Sequence, residues 1–164
     1  MTGEYRIAAP RGEVWQALND PDVLRVCIPG CEELEMTSDT TMTAKVVQKI
    51  GPVKAKFDGE VELVNIIVEE SYTIQGEGKG GVAGFAKGGA DVRLVDDEGH
   101  TVLTYQAQAT VGGKLARLGG RLINSTAKKL ADQFFANFHD HLTGPEAEEA
   151  DADANEQGKD TERA

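Results

Sequence analysis

Aromatic side chains are scarce in this chain: five Phe, three Tyr and one Trp among 164 residues, although the apolar share of forty per cent is ordinary for a globular protein. Cations are also outnumbered, with 17 Lys and Arg against 28 Asp and Glu, a net charge of −11. That balance excludes a nucleic-acid surface as the main function. Only two cysteines occur, Cys27 and Cys31, around Ile28-Pro29-Gly30. With no second pair and no histidine beside them they do not make a metal site, and a reducing compartment disfavours a disulfide. No apolar run approaches the length of a membrane span and no charged, apolar leader opens the sequence, so a cytoplasmic protein is expected.

Catalytic groupings are missing as well. His100 falls at a turn, and His139 and His141 close a helical pattern, where imidazolium suits the helix dipole. Ser125 and Thr126 have no base at a recognisable spacing. The glycines 76, 78 and 80 lie in strand context and open no helix, so they are not a dinucleotide fingerprint. A protein that is not an enzyme is expected.

What the chain does have is periodicity. Leu115, Leu118, Leu122, Leu130, Phe134, Phe138 and Leu142 recur at steps that draw one apolar stripe down a helix over 113–142, roughly 40 Å long. Gly144 and Pro145 supply its stop. Earlier, Tyr5 and Ile7 mark a first strand, and Pro10 suits the first turn of a short helix whose inner face is Val14, Trp15 and Leu18. Asp20-Pro21 caps a second short helix carrying Val23, Leu24 and Cys27. From residue 31 the period becomes two, clearest where Val53, Ala55, Phe57, Gly59, Val61 and Leu63 alternate with charged residues. About six such strands joined by short turns must pair antiparallel, and their apolar face needs the long helix as cover. The expected fold is α+β: a curved antiparallel sheet of six to seven strands wrapped round a C-terminal helix over residues 1–143. Residues 144–164 carry eight acids, two cations and no aromatic or leucine, and are expected to be a disordered acidic tail.

Inner positions of this sheet are small. Gly76, Gly78, Gly80, Gly84, Ala86, Gly88, Ala107 and Ala109 would face the helix, which itself carries Gly119-Gly120. Two accounts stay open. Small facing small leaves a cavity, with Phe57, Phe85, Tyr105, Leu118 and Leu122 around it, suited to an apolar ligand. Alternatively, the glycines serve bulges, bends and close helix–sheet contact.

The residues also resemble a known family. Gly3-Glu-Tyr-Arg-Ile through Cys27-Ile-Pro-Gly-Cys-Glu32, Gly51-Pro-Val leading to Phe57-x-Gly59, and Gly113-Lys-Leu-Ala-Arg-Leu-Gly-Gly-Arg-Leu-Ile123 are similar to the carbon monoxide dehydrogenase CoxG family over residues 3–142. That family belongs to the START-like, helix-grip (SRPBCC) superfamily, whose fold is the one expected above. The resemblance implies an accessory protein of molybdenum carbon monoxide dehydrogenase that carries an isoprenoid quinone (menaquinone or ubiquinone) in its cavity. It would hold no covalent cofactor and would couple the enzyme to the respiratory chain. It also implies transient contact with the inner face of the cell membrane, where the protein would be peripheral. A ligand-free adaptor that recruits the dehydrogenase through its surface is the alternative. On the quinone reading, Gln48, Tyr72, Tyr105 and Asn124 are candidates for the head group. Trp15, Phe57, Ile74, Gly76, Phe85, Ala107, Leu115, Leu118, Gly119 and Leu122 are candidates for the apolar wall.

Overall fold

A computed structural model describes the backbone of residues 1–156 and the side chains of residues 1–144. Strand β1 (Thr2–Ile7) is followed by helices α1 (Arg11–Leu18) and α2 (Pro21–Cys27). Then come β2 (Cys31–Met36), β3 (Thr41–Ile50), β4 (Val53–Ile67), β5 (Ser71–Lys79), β6 (Phe85–Asp97) and β7 (His100–Gly112). The last helix described is α3 (Gly120–Glu156). Short 3-10 turns at Gly81–Ala83 and Gly113–Leu118 precede β6 and α3. The α+β helix-grip architecture expected from the sequence is the one observed.

All seven strands form one antiparallel sheet in the order β1-β7-β6-β5-β4-β3-β2. Alternation decides the faces. Leu63, Tyr72, Val92, Leu94, Leu103, Tyr105 and Ile7 share the inner face and join Val14, Leu18, Val23 and Cys27 of α1 and α2 in one core. Phe138 of α3, with no exposed surface, closes that core, flanked by Phe134, Phe135 and Leu142. Asp20 caps α2 as expected, its Oδ1 accepting from the Asp22 amide at 2.9 Å. Pro10 does not begin α1 but stands just before it, at φ −63° and ψ 152°. Asn137 ties α3 to the end of α2 by donating to the Cys27 carbonyl at 3.0 Å. Thr101, fully buried, donates its hydroxyl to the Ala9 carbonyl at 2.8 Å and anchors the chain between β1 and α1.

One expectation needs correction. The final helix does not run unbroken from Gly113. Gly119 sits at φ 89° and ψ 151°, a left-handed conformation that breaks the chain between the 3-10 turn and α3. A glycine pair inside an apolar stripe therefore marks a joint and not a helix interior. A second break falls at Gly144 (φ 67°, ψ 164°), where the stop signal was expected, and the backbone is helical again to Glu156. The expected disordered tail over 144–164 lies, in its side chains and from 157 in its backbone, outside the described residues. Among the described residues no helix is long and apolar enough to cross a membrane.

Candidate functional site

Register turns the inner face into rows running across the strands. At one end Tyr72, Val92 and Tyr105 lie side by side, and next to them Leu94 and Leu103. Further along, Leu63, Ile74, Ala90 and Ala107 form a row of mixed size. Beyond it come Met42, Val61, Gly76, Gly88 and Ala109, then Ala44, Gly59, Gly78, Ala86 and Val111. Seven of those ten positions are Gly or Ala, and none of the seven belongs to the buried core. By side-chain size the inner face is therefore filled at one end and hollow at the other.

The glycines divide by what a methyl group would meet. At Gly76 it would sit 3.4 Å from the Glu60 carbonyl oxygen, and at Gly59 3.7 Å from that of Ala44, both ordinary contacts. At Gly88 it would lie 2.1 Å from the Gln108 carbonyl oxygen, so strand approach itself demands glycine there. Rings occupy other glycine positions. A methyl group on Gly3 would fall 2.4 Å from the Tyr105 ring, and one on Gly80 2.5 Å from the Phe57 ring. Close strand approach thus accounts for Gly88, whereas Gly59 and Gly76 have room for a side chain that their backbone does not exclude.

Helix α3 starts beside this end. Leu122 near its start reaches the β3–β4 turn, where a methyl on Gly51 would be 3.0 Å from Leu122 Cδ2. Leu122, Ile123, Thr126, Ala127 and Leu130 are half-buried over this end, in contrast to Phe138. Trp15 and Tyr72 meet edge to face with centroids 5.4 Å apart at the boundary between the filled and hollow halves. Burial alone pushes the Tyr72 hydroxyl well above the usual phenol value. At the β1 edge, Tyr5 donates its hydroxyl to Asp132 of α3, and Lys128 reaches the same carboxylate at 3.1 Å. Burial first, and then that hydrogen bond, raise the Tyr5 pKa, while the bond from Tyr5 and then Lys128 hold Asp132 below the usual carboxylate range.

Of the residues singled out in the sequence, Phe57, Tyr72, Ile74, Gly76, Tyr105 and Ala107 share the inner face with Gln48. Trp15 joins them from α1. Leu118 and Leu122 are half-buried beside the hollow end. Five expectations change. Phe85 lies on the outer face of β6 with Lys87 and Gly89, because strand alternation puts it opposite in sense to Ala86. Its ring covers Gly112 instead of a cavity. Leu115 is fully buried in the 3-10 turn. Gly119 and Asn124 are exposed, and nothing lies within 4 Å of a methyl group placed on Gly119. Gln48 is inward, but its amide nitrogen already donates to the Pro29 carbonyl at 2.6 Å. Sequence reading missed Val61 and Met42, which wall the hollow from β4 and β3; their alternation carried the signal.

Grooves also cross the outer face. One of about 760 Å³ presents the side chains of Thr43, Glu60, Glu62, Gln75, Glu77 and Lys87, and its floor also includes Met42, Val61, Ile74, Gly76 and Gly88. Its polar, charged walls do not suit an apolar ligand. Among the described residues no group of three His, Cys, Asp or Glu is placed to hold a metal.

Comparison with solved structures supports the fold. A conserved protein from Geobacillus kaustophilus is 32% identical, with a TM-score of 0.82 over 87% of this chain and 93% of its own. A protein from Mycobacterium smegmatis is 17% identical with a TM-score of 0.62, over 87% of this chain and 90% of that one. A protein from Rhizobium leguminosarum is 16% identical with a TM-score of 0.62, over 85% and 90%. No curated protein matches the sequence. The sequence does match, over residues 3–143, the family of the carbon monoxide dehydrogenase component CoxG. With the match running from β1 to the break at Gly144, the chain belongs to the carbon monoxide dehydrogenase CoxG family.

Proposed function

We propose that this protein is a non-catalytic accessory of carbon monoxide dehydrogenase that carries an isoprenoid quinone between the enzyme and the membrane respiratory chain. The observation that carries the reading is the pair of inner rows in which seven of ten residues are Gly or Ala beneath α3. Interiors are normally filled to crystal-like density, and an apolar hollow inside a rigid sheet is the usual form of a site for an apolar molecule. Met42, Val61, Ile74, Phe57 and Leu122 give it apolar walls, and Tyr72 and Trp15 offer an O–H and an N–H to a quinone carbonyl. Family membership supports the choice of enzyme partner.

Organic extraction of the purified protein, followed by mass spectrometry, is the direct test. Menaquinone or ubiquinone is expected in the extract, and added quinone is expected to raise the melting temperature. An empty extract together with an unmoved melting temperature leaves the adaptor reading, in which the protein meets the dehydrogenase through its surface alone.

A further inference from the structure

Charge is segregated along the sheet. The antiparallel register brings the β3–β4 turn, the β5–β6 loop, the end of β7 and the start of α3 to one end, as Gly51 beside Leu122 and Gly84 beside Gly113 show. Residues 49–56 contribute Lys49, Lys54 and Lys56; residues 79–87 add Lys79 and Lys87. Residues 113–121 supply Lys114, Arg117 and Arg121. These three segments hold eight cations and no acid in a protein of net charge −11, with Asp58 opposite Lys79 and Glu77 opposite Lys87 as the acids across the strands. All eight are exposed. Among the described residues the one ion pair they form joins Lys56 to Glu32 at 2.9 Å. Lys49 and Lys54 are direct cross-strand partners, a like-charge pair that works against sheet stability. The turns at the opposite end are acidic. The β2–β3, β4–β5 and β6–β7 turns carry Asp39, Glu69, Glu70, Asp96, Asp97 and Glu98 and no Lys or Arg, although Arg6 and Arg11 pair with Asp97 and Asp96 from β1 and α1.

The basic end also exposes apolar side chains where solvent alone would favour polar ones. Val82, at the tip of the β5–β6 loop, is 86% exposed, and Phe85 is 39% exposed beside it. It is the hollow end of the inner face as well, so any apolar molecule held under the first turns of α3 is nearest to bulk at this point.

From this arrangement we infer that the basic end is a docking surface for an anionic lipid bilayer, oriented so that the hollow opens toward the membrane. This inference rests on the cargo reading above and names the surface through which cargo would pass. Cations draw the end toward acidic headgroups, and Val82 enters the interface as an apolar anchor. The acidic end is repelled, which fixes the orientation. An apolar tip among lysines fits a bilayer better than an acidic protein, whose surface would gain from the charges but not from a protruding Val82.

The full chain is tested by co-sedimentation with phosphatidylcholine vesicles, with and without phosphatidylglycerol. Binding is expected only with phosphatidylglycerol and is expected to fall steeply with salt. The variant Lys79→Glu/Lys114→Glu/Arg117→Glu should weaken it by about fivefold or more per charge. Val82→Asp should weaken it at unchanged charge on the lysines, and Arg93→Glu, at the other end of the sheet, should leave most of it. All these residues are exposed, and circular dichroism checks that each variant folds. Wild-type protein that ignores both vesicles, or binds phosphatidylglycerol equally well after the triple reversal, overturns the inference. So does binding of the dehydrogenase, in place of vesicles, through the same cations. The assay needs no cargo: protein that docks but yields an empty extract defeats the quinone reading alone, and quinone in protein that ignores vesicles defeats the docking surface alone.

Discussion

Gly76 and Gly88 face each other across β5 and β6, and each is glycine for a different reason. Gly88 leaves no room for a methyl group, which would lie 2.1 Å from a backbone oxygen that cannot move without moving β7. Gly76 has ordinary space, at 3.4 Å, so nothing about its backbone requires the missing side chain. Gly88→Ala is therefore expected to destabilise by about 2 kcal/mol or more through overpacking. Gly76→Ala should be neutral or stabilise by up to about 1 kcal/mol, since alanine restricts the unfolded chain. Urea denaturation of the two single variants decides it, and equal losses would mean that Gly76 is also a close-approach glycine. Gly76→Leu goes one step further. Its side chain would project into the hollow, so the folded variant should lose the quinone-induced rise in melting temperature. Retention of that rise would place the cargo elsewhere.

Between elements, the contact that holds the β1 edge to α3 is the Tyr5–Asp132–Lys128 group. Asp132 has a folded pKa below its unfolded value, so its contribution is fully present above the unfolded value of about 3.9 and is lost as pH falls through the folded one. Tyr5→Phe and Asp132→Asn should each lower the urea midpoint at neutral pH, and their effects should be less than additive because they break one bond. The deficit of Asp132→Asn should shrink as pH falls below about 4; a deficit constant down to the acid limb would show that the carboxylate charge plays no part. The Tyr5–Asp132 bond was not legible in the sequence, because residues 127 apart give no local signal, whereas Lys128 and Asp132 stand at the i,i+4 spacing of a helix. The elements themselves were legible. Alternation over 53–63 placed each inner side chain of β4, and Asp20-Pro21 announced α2. The joint at Gly119 was not, since glycine inside an apolar stripe reads the same whether it is helical or left-handed. Phe85 differs for a related reason: the glycines before it hide where β6 begins, and strand parity turns its ring outward.

For the whole molecule, the buried core and the proposed cargo site occupy opposite ends of one sheet. The filled end gathers Ile7, Val14, Leu94, Leu103 and Phe138 into the core, whereas Leu122 and Ile123 beside the hollow end are only half-buried. Most of the stabilising burial thus lies far from the proposed cargo, and the two properties should separate by mutation. Phe138→Ala removes a ring with no exposed surface and should cost about 3–5 kcal/mol, a large share of a typical domain's stability. Leu122→Ala, half-buried at the other end of α3, should cost about 1 kcal/mol and yet weaken quinone binding. Amide hydrogen exchange reads the same division without mutation. Val92, Leu94 and Leu103 should exchange only by global unfolding, while Ala55, Phe57 and Ala86 should open locally at lower free energy. Adding quinone should slow the second group and leave the first unchanged. Equal protection at both ends before addition would mean that the hollow is packed, and the sheet would then be a scaffold for surface contacts alone.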